Sequence, residues 1–425
     1  MRGRWVAERI VATKRIEAIF APLAHHRPIF PFNHLPPGIT SHAQTFRDDV
    51  TTVGAHAPEV VIMKSGAMRG IAFAVVLTAL TALSLASCGG SDHPMATQFK
   101  STILVSDGAV AASHTDANLK NAWGVAFNPK GFVWVANNAT QTATLYDGNG
   151  VVQSLVVSIP ATASGPASPT GIVFNGSTTD FIASQGGKSG AAAFIFAGEG
   201  GSITAWSPSV DLTHAITVSD SSASGAVYKG LAIGSANGAA RLYATDFHNR
   251  RIDVFDNAFN KIALPNAFQD PQIPANFAPF GIQAIGPKLY VTYAQQDSDA
   301  HDDVAGPGLG FVDVFDTSGN LLMRLEHATQ LNAPWGVTQA PGNFGTLSND
   351  ILVGNFGDGT INAFDPSSGQ FAGTLQNSSG AAFVQPGLWG IAFGNNLNAQ
   401  PSNTLFFAAG PNDEKDGVYG RIDMQ

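Results

Sequence analysis

One pattern of hydrophobic and polar positions is repeated six times in the second part of the chain. Each unit begins with an aromatic or apolar residue, a glycine and a short apolar run, as in 122–127 (AWGVAF) and 388–393 (LWGIAF). A second apolar strand follows, and the third tends to end in an aromatic residue and Asp. A turn rich in Gly, Asn or Ser then leads into a fourth strand. The repeated glycines, spaced roughly 50 residues apart, are Gly124, Gly171, Gly230, Gly281, Gly336 and Gly390.

This repeat predicts an all-β fold, a six-bladed β-propeller. In 253–256 and 313–316 (DVFD), Val and Phe lie between two Asp residues, which is typical of a half-buried strand. Four short antiparallel strands in each repeated unit are typical of propeller blades. We expect the glycine of each first strand where inner strands crowd around a central channel, because a residue without Cβ lets another backbone approach.

The last unit predicts how the ring closes. It lacks a fourth strand after 421–423 (RID), whereas the strand-like stretch 99–106 (FKSTILVS) belongs to no blade of its own. We expect this stretch to supply the missing strand, so that no sheet edge stays open. The ring is therefore predicted to be closed by the N-terminal strand of the mature chain.

The composition agrees with such a fold and excludes several classes of protein. Of 425 residues, 12% are charged and 44% are hydrophobic, and 22 Lys and Arg against 31 Asp and Glu give a formal net charge of −9. Low charge with this hydrophobicity argues against intrinsic disorder. The excess of acidic residues leaves no basic face for nucleic acid. We expect a monomer without a nucleic-acid partner.

The amino-terminal part of the chain contains a targeting signal. An apolar run at 71–87 follows Lys64 and Arg69 and ends at Cys88, the only cysteine of the chain. Its length suits the apolar core of a signal peptide rather than a membrane span. The residues 85–88 (LASC) resemble the bacterial lipoprotein signal, which implies cleavage before Cys88 and a membrane anchor through its lipidated thiol. The alternative is an ordinary signal peptide with a chance cysteine.

The lipoprotein signal also predicts the location of the protein and the domain boundaries. We expect an exported protein that is lipid-anchored in the cell envelope, and in the outer membrane if the cell is Gram-negative, because Gly89 stands where an Asp would retain it. Residues 1–62 show no consistent period, so they are an over-extended start, with translation beginning at Met63 or Met68, or a disordered leader. The remaining predicted segments are the signal peptide 63–87, the lipidated tether 88–98 and the propeller 99–425.

Several motifs carry a resemblance to known families. The segment 245–256 (TDFHNRRIDVFD) closely resembles the NHL repeat, in which an Asn-x-Arg-Ile element leads into a Val-Phe-Asp strand. The stretch 99–423 is also similar to a family of exported bacterial propellers of unknown activity. This resemblance implies the six-bladed fold and no established reaction. It rests on 104–107 (LVSD), 118–124 (NLKNAWG), 145–148 (LYDG), 294–297 (AQQD), 306–308 (GPG) and 412–414 (NDE).

The loop 297–303 (DSDAHDD) is the densest group of candidate metal ligands in the sequence. Its four carboxylates repel one another unless they are solvated, protonated or bound to a cation. Oxygen ligands favour Ca²⁺ or Mg²⁺, and the imidazole would also admit Zn²⁺ or Mn²⁺. The alternative is a solvated insertion, since the loop lacks the Gly and distal Glu of an EF-hand. The candidate ligands of a divalent cation, the one cofactor considered, are Asp297, Asp299, His301, Asp302 and Asp303.

Turns in other blades supply further candidate binding residues, which would act together if the loops converge on one rim. Four aromatic residues in one register, Trp123, Phe280, Trp335 and Trp389, predict either a ring near the channel mouth or packing between blades. The candidate binding residues are Asp246, His248, Asn249, Asn355, Asp358 and Asp413.

The sequence does not identify catalytic residues, and it leaves open whether the protein is an enzyme. Calcium-dependent lactonases with a propeller fold use a channel Glu, whereas Glu199, Glu326 and Glu414 all lie off the predicted inner strands. We therefore expect a scaffold that binds a protein, peptide or glycan. The alternative is a metal-dependent hydrolase or lyase with an ion held by loops of one propeller face.

Overall fold

The computed structural model describes residues 96–425. The predicted leader, the signal peptide, Cys88 and most of the tether lie outside the described residues. Within 96–425, no helix is long and apolar enough to cross a membrane. The regular secondary structure of this part is β apart from two single-turn 3-10 helices, Ser222–Ser224 and Gly345–Leu347.

Six sheets follow one another along the chain, one with six strands, one with five and four with four, and a separate two-stranded hairpin accompanies them. Within each sheet the main strands are antiparallel neighbours. The first strand of each sheet contacts the first strand of the next, and the last sheet contacts the first in the same way. The sheets thus form a closed ring of six blades, which confirms the predicted propeller.

The described part of the chain begins with a strand that belongs to the last blade, followed by the first two blades. Their strands are β1 (Gln98–Ser106), β2 (His114–Thr115), β3 (Ala122–Phe127), β4 (Val133–Asn137), β5 (Thr142–Tyr146), β6 (Val152–Ser158), β7 (Pro169–Phe174), β8 (Ile182–Gln185), β9 (Lys188–Ala191), β10 (Phe194–Gly198), β11 (Ser202–Trp206) and β12 (Ile216–Asp220). Blade 1 is β3–β6, blade 2 is β7 with β10–β12, and β8 and β9 form the separate hairpin.

Blades 3 to 6 complete the ring in chain order. Their strands are β13 (Tyr228–Ala236), β14 (Ala239–Asp246), β15 (Arg251–Phe255), β16 (Lys261–Ile262), β17 (Phe277–Ile285), β18 (Lys288–Gln296), β19 (Asp303–Val304), β20 (Gly310–Asp316), β21 (Leu321–Arg324), β22 (Pro334–Gln339), β23 (Ile351–Asn355), β24 (Ile361–Phe364), β25 (Phe371–Thr374), β26 (Gln376–Asn377), β27 (Leu388–Phe393), β28 (Leu405–Ala409) and β29 (Val418–Met424). Blade 6 is β27–β29 with β1, and short β2 and β26 pair with β1.

Strand β1 closes the ring as predicted. It lies antiparallel beside β29, with Phe99 opposite Met424 and Ser106 opposite Val418. The Phe99 side chain is buried and its ring centroid lies 4.8 Å from that of Phe344. The closing strand is therefore held by backbone hydrogen bonds and by an apolar contact with blade 5.

The apolar core is divided among the junctions between blades. Seven apolar clusters occur in the described chain, and six of them lie between neighbouring blades. At the junction of blades 1 and 2, for example, the ring of Trp134 lies 4.2 Å from that of Phe194 and 4.8 Å from that of Trp206. The seventh cluster lies on the channel axis, and it positions the site described below.

The repeated glycines lie where adjacent inner strands approach one another. A Cβ on Gly281 would lie 2.1 Å from the carbonyl oxygen of Trp335, and one on Gly390 would lie 2.5 Å from that of Trp123. Real Cβ atoms do not come this close to backbone atoms. The predicted reason for glycine at these positions is thus correct, and it fixes the spacing of the ring.

Candidate functional site

One residue of each inner strand, directly before the repeated glycine, contributes to a ring around the channel. Aromatic contacts join blades that are not neighbours: Phe280 of blade 4 lies 5.7 Å from Trp389 of blade 6, and Trp123 of blade 1 lies 5.8 Å from Trp335 of blade 5. These contacts must cross the channel. The six ring residues are Trp123, Thr170, Lys229, Phe280, Trp335 and Trp389.

The aromatic ring residues close the channel. Trp123 and Trp389 stack with centroids 3.5 Å apart, and Phe356 stacks on the other side of Trp389 at 3.9 Å. Both predicted roles of these aromatics are present, because they form a ring around the channel and Trp389 also packs against Trp123 and Trp335 of the two neighbouring blades. We call this cluster the aromatic plug; it consists of Trp123, Phe247, Phe280, Trp335, Phe356 and Trp389.

Lys229 is the single charged member of the ring, and it is 1% exposed. Its Nζ donates to Glu199 and lies 3.2 Å from Oδ1 of Asp302. It also lies 5.2 Å from the ring centroid of Trp123, within the range of a cation–π contact. Burial opposes the charge, but the two carboxylates more than offset this, so the pKa of Lys229 lies above its ordinary value. Lys229 is therefore a buried ammonium held at the plug.

Glu199 reaches this ammonium from the turn after β10. Its other oxygen, Oε2, accepts a hydrogen bond of 2.7 Å from Nδ2 of Asn138 in blade 1. The side chain is 13% exposed, so the carboxylate is largely removed from water. Glu199 lies off the inner strands, as predicted, yet it reaches the channel from this turn.

A second glutamate reaches the same end of the channel from a strained loop. Glu414 follows Asn412 and Asp413, and all three have left-handed backbone with φ of 58°, 53° and 61°. A left-handed backbone costs about 1–2 kcal/mol of stability at each residue other than glycine. Oε1 of Glu414 accepts a hydrogen bond from Asn121 at 3.1 Å, and burial followed by repulsion from Glu199 raises its pKa. We call the end of the channel that contains Glu199, Lys229, Asp302 and Glu414 the mouth.

The predicted metal loop lies at this mouth, but its residues have different roles. Oδ1 of Asp297 accepts backbone hydrogen bonds from His301 at 2.9 Å and Asp302 at 3.3 Å, so it holds the loop's own turn. Asp299 is exposed. Oδ2 of Asp303 is buried without a hydrogen-bond partner among the described residues, and burial raises the pKa of this carboxyl to about 7.

One group in the described chain has the composition and spacing of a metal site. Ligand atoms of Glu199, His301 and Asp302 lie within 4.8 Å of one another. Nδ1 of His301 lies 2.9 Å from Oδ1 of Asp302, which lowers the pKa of Asp302 and raises that of His301. Because Lys229 pairs with both carboxylates, a divalent ion bound here would compete with its ammonium.

Most of the other predicted binding residues stabilise turns. Asp246 is buried and accepts hydrogen bonds from Nδ2 of Asn249 at 2.8 Å and from the Val227 backbone at 3.2 Å. A ring nitrogen of His248, Nδ1, lies 3.3 Å from the Ala300 carbonyl oxygen, so this residue contacts the 297–303 loop.

The predicted residues of blades 5 and 6 do not meet Lys229. Buried Asn355 donates to the Gln330 carbonyl at 2.8 Å and contacts Asp358 at 3.3 Å. Asp413 is 91% exposed in its side chain and lies 3.5 Å from Lys415. The structure thus brings His301 and Asp302 to the mouth, together with Glu199, Lys229 and Glu414, which the sequence argument did not select.

An open cleft of about 350 Å³ borders the mouth between blades 2 and 3. Glu199 and His301 stand at one side of it. The rest of its wall combines hydroxyl groups and glycine backbone, which offer hydrogen-bond donors and acceptors, with the apolar residues Pro166, Ala226 and Val227. The hydroxyl and glycine residues include Thr162, Ser164, Ser168, Ser222, Gly165, Gly200 and Gly225.

Several buried polar atoms at the plug have no hydrogen-bond partner among the described residues. They are the indole Nε1 atoms of Trp123, Trp335 and Trp389 and the Oδ1 atom of Asn121. Unpaired buried groups are rare in native proteins and call for an explanation such as bound water or a ligand. These unpaired atoms lie beside the channel and not on the outer surface of the blades.

Comparison with known proteins gives relatives over the propeller. The chain is 33% identical over 335 residues to the uncharacterized protein R648 of Acanthamoeba polyphaga mimivirus, covering 77% of this chain and 80% of that protein. It is 34% identical over 335 residues to the uncharacterized protein L690 of the same virus, covering 76% and 85%. No family model matches. Among solved structures, virginiamycin B lyase from Staphylococcus aureus is similar at 15% identity with a TM-score of 0.42, covering 77% of this chain and 100% of that chain.

Proposed function

This chain belongs to the family of the mimivirus proteins R648 and L690, and we propose that it is a binding scaffold that holds a glycan or peptide segment in the cleft beside the channel mouth. These relatives are viral, so the bacterial and lipoprotein parts of the sequence resemblance stay predictions. The proposal concerns the described propeller and is supported by the chemistry of its mouth.

The carrying observation is the position of Lys229. Its ammonium pairs with Glu199 and Asp302, the two carboxylates of the group best suited to a metal ion. A buried carboxylate needs a partner charge, and here the chain itself supplies it. This favours a mouth that is complete without a metal, and hence binding over metal-dependent catalysis.

The cleft supports a polar, extended ligand. Its volume of about 350 Å³ falls within the usual range of ligand sites. Hydroxyl groups and the glycine backbone offer hydrogen bonds that sugar hydroxyls or a peptide backbone require, and Pro166, Ala226 and Val227 offer apolar contacts. The exposed position of Ser164 in its wall makes the cleft open to a chain longer than the cavity itself.

The experiment is a binding survey with a variant that blocks the cleft. The purified chain is applied to arrays of glycans and peptides, and each hit is titrated by calorimetry. Ser164→Trp is expected to weaken binding at least tenfold, whereas Ser154→Trp, on the exposed outer strand of blade 1, is expected to leave it unchanged. Absence of any hit, or equal affinities for the two variants, contradicts the proposal.

A second candidate function, a metal-dependent hydrolase or lyase, is favoured by the spacing of Glu199, His301 and Asp302. Its ion would be Ca²⁺, Zn²⁺ or another divalent cation. Metal analysis of the purified chain and melting curves with added Ca²⁺ and Zn²⁺ separate the two functions. We expect no stoichiometric ion and no rise in melting temperature; a bound ion together with lactone or ester hydrolysis would establish the enzyme instead.

We also propose that the propeller is anchored to a membrane of the cell envelope through lipidated Cys88. The support is the apolar run that ends at this cysteine. Radiolabelled palmitate is expected to enter the wild-type protein, and Cys88→Ser is expected to abolish labelling and shift the protein from the membrane to the soluble fraction. Labelling that persists in Cys88→Ser contradicts the anchor.

A further inference from the structure

The channel has a second opening at the end opposite the mouth. Beyond the repeated glycines, the inner strands diverge and enclose a cavity of about 380 Å³. All six inner strands, β3, β7, β13, β17, β22 and β27, contribute to its wall. We call this cavity the funnel. It is separated from the mouth by the aromatic plug and by the ring of glycines.

Most of the residues that line the funnel are apolar, while the backbone polar groups of the inner strands also reach its surface. The third residue after the repeated glycine is Phe127 in blade 1, Phe174 in blade 2, Ile233 in blade 3 and Phe393 in blade 6. All four are half-buried. They form an apolar arc over four consecutive blades. A ligand that covers this arc gains about 25 cal/mol of binding free energy per Å² of apolar surface removed from water.

The remaining two blades give the funnel a polar side. Gln283 of blade 4 and Thr338 and Gln339 of blade 5 stand opposite the apolar arc. The Nε2 atom of Gln339 donates to the Asn349 carbonyl at 3.0 Å, which fixes the amide and leaves its oxygen as an acceptor. Among the described residues that line the funnel, none is charged.

We propose that the funnel binds an uncharged, amphipathic small molecule with an apolar body and one hydrogen-bonding edge. The volume suits a compact ligand, because it equals roughly a dozen waters at ~30 Å³ each. A wall without charge gives no partner to an ion, so a charged ligand would lose its hydration without compensation. The amides of Gln283 and Gln339 lie on one side of the funnel, so they favour a ligand with one edge that can donate or accept a hydrogen bond. This site lies at the opposite end of the channel from the cleft and is independent of the function proposed above.

A matched pair of fluorescent probes tests the proposal on the full chain. N-phenyl-1-naphthylamine is uncharged, and 1-anilinonaphthalene-8-sulfonate is the same ring system with an added anionic group. We expect the uncharged probe to bind at one site per chain and the sulfonate to bind at least tenfold more weakly. Equal affinities for the two probes, or no binding of the uncharged one, would overturn the proposal.

Variants place the probe in the funnel. Ala392→Phe adds a ring inside the wall, and Gln339→Lys replaces the acceptor oxygen by a charge that has no partner among the lining residues. Each variant is expected to lower the affinity for the uncharged probe at least tenfold. Ala109→Phe, on an exposed loop, is expected to leave that affinity unchanged. Gln339 is exposed, so its variant tests the site even if Ala392→Phe fails to fold. Unchanged binding in Gln339→Lys contradicts the assignment.

Discussion

Replacing Lys229 by Met tests whether the buried ammonium balances the charge of the channel mouth. Met keeps the length and apolar body of the lysine side chain but removes the ammonium that pairs with Glu199 and Asp302. Glu199 would then be left without its cation, since its remaining described polar partner is the Asn138 amide. The variant is expected to be less stable than the wild type at pH 7.

The magnitude follows from the exposure of each partner. Loss of one member of a buried ion pair costs about 3–5 kcal/mol. The Glu199 side chain retains 13% exposure, which places the loss near the lower end of that range, about 3 kcal/mol. The Asp302 side chain is 62% exposed, so its pair with Lys229 adds only about 0–1 kcal/mol.

Urea denaturation of the wild type, Lys229→Met and the double variant Lys229→Met with Glu199→Gln measures this loss. The double variant is expected to recover most of the stability, because the neutral amide no longer needs a partner charge. A loss below about 1 kcal/mol in Lys229→Met, or no recovery in the double variant, would refute the reasoning that the ion pair completes the mouth.

Three further variants test the ring, its closure and the titration of the mouth. Gly281→Ala is expected to lower stability by at least about 1–3 kcal/mol in urea denaturation, because its Cβ would lie 2.1 Å from a carbonyl oxygen, whereas Gly342→Ala, with its nearest contact at 3.4 Å, is expected to be neutral. Phe99→Ala is expected to cost about 3–5 kcal/mol by the same assay, because the ring is buried on the closing strand; a loss below 1 kcal/mol would contradict its role. Asp303→Asn is expected to remove a fall in stability as pH rises from about 4 to 7, because a pKa raised to about 7 means that the folded state holds the proton that the unfolded state releases. Parallel pH profiles of wild type and Asp303→Asn, measured by urea denaturation, would contradict that assignment.

The fold was predictable because every blade repeats the same hydrophobic pattern. A glycine in the first strand and an aromatic-Asp end in the third recur often enough to identify the unit, and the unmatched stretch before the first blade indicated the closing strand. Both predictions depend on local period and on counting strands, which the sequence displays directly. Most strand partners follow from the ring geometry, since sequential strands pair, but the hairpin β8–β9, which lies between β7 and its partner β10, does not follow from it.

The site was less predictable because its members come from different structural contexts. Lys229 stands in a register that holds Trp or Phe in four other blades, and this departure was a signal that the sequence argument did not use. Glu199 and Glu414 reach the mouth from turns, and the left-handed backbone that carries Glu414 cannot be inferred from composition. Asp297, an attractive ligand by residue type, instead accepts its own loop's backbone hydrogen bonds.

The pairing of β1 with β29 has a mechanical consequence. Because the first described strand is also the outer strand of the last blade, tension on the chain before Gln98 passes directly into the β1–β29 ladder. A pull along the strand direction loads the hydrogen bonds of this ladder together rather than one after another. The propeller can thus be tethered by its amino end, and the strand that bears the load is the one whose detachment would open the ring.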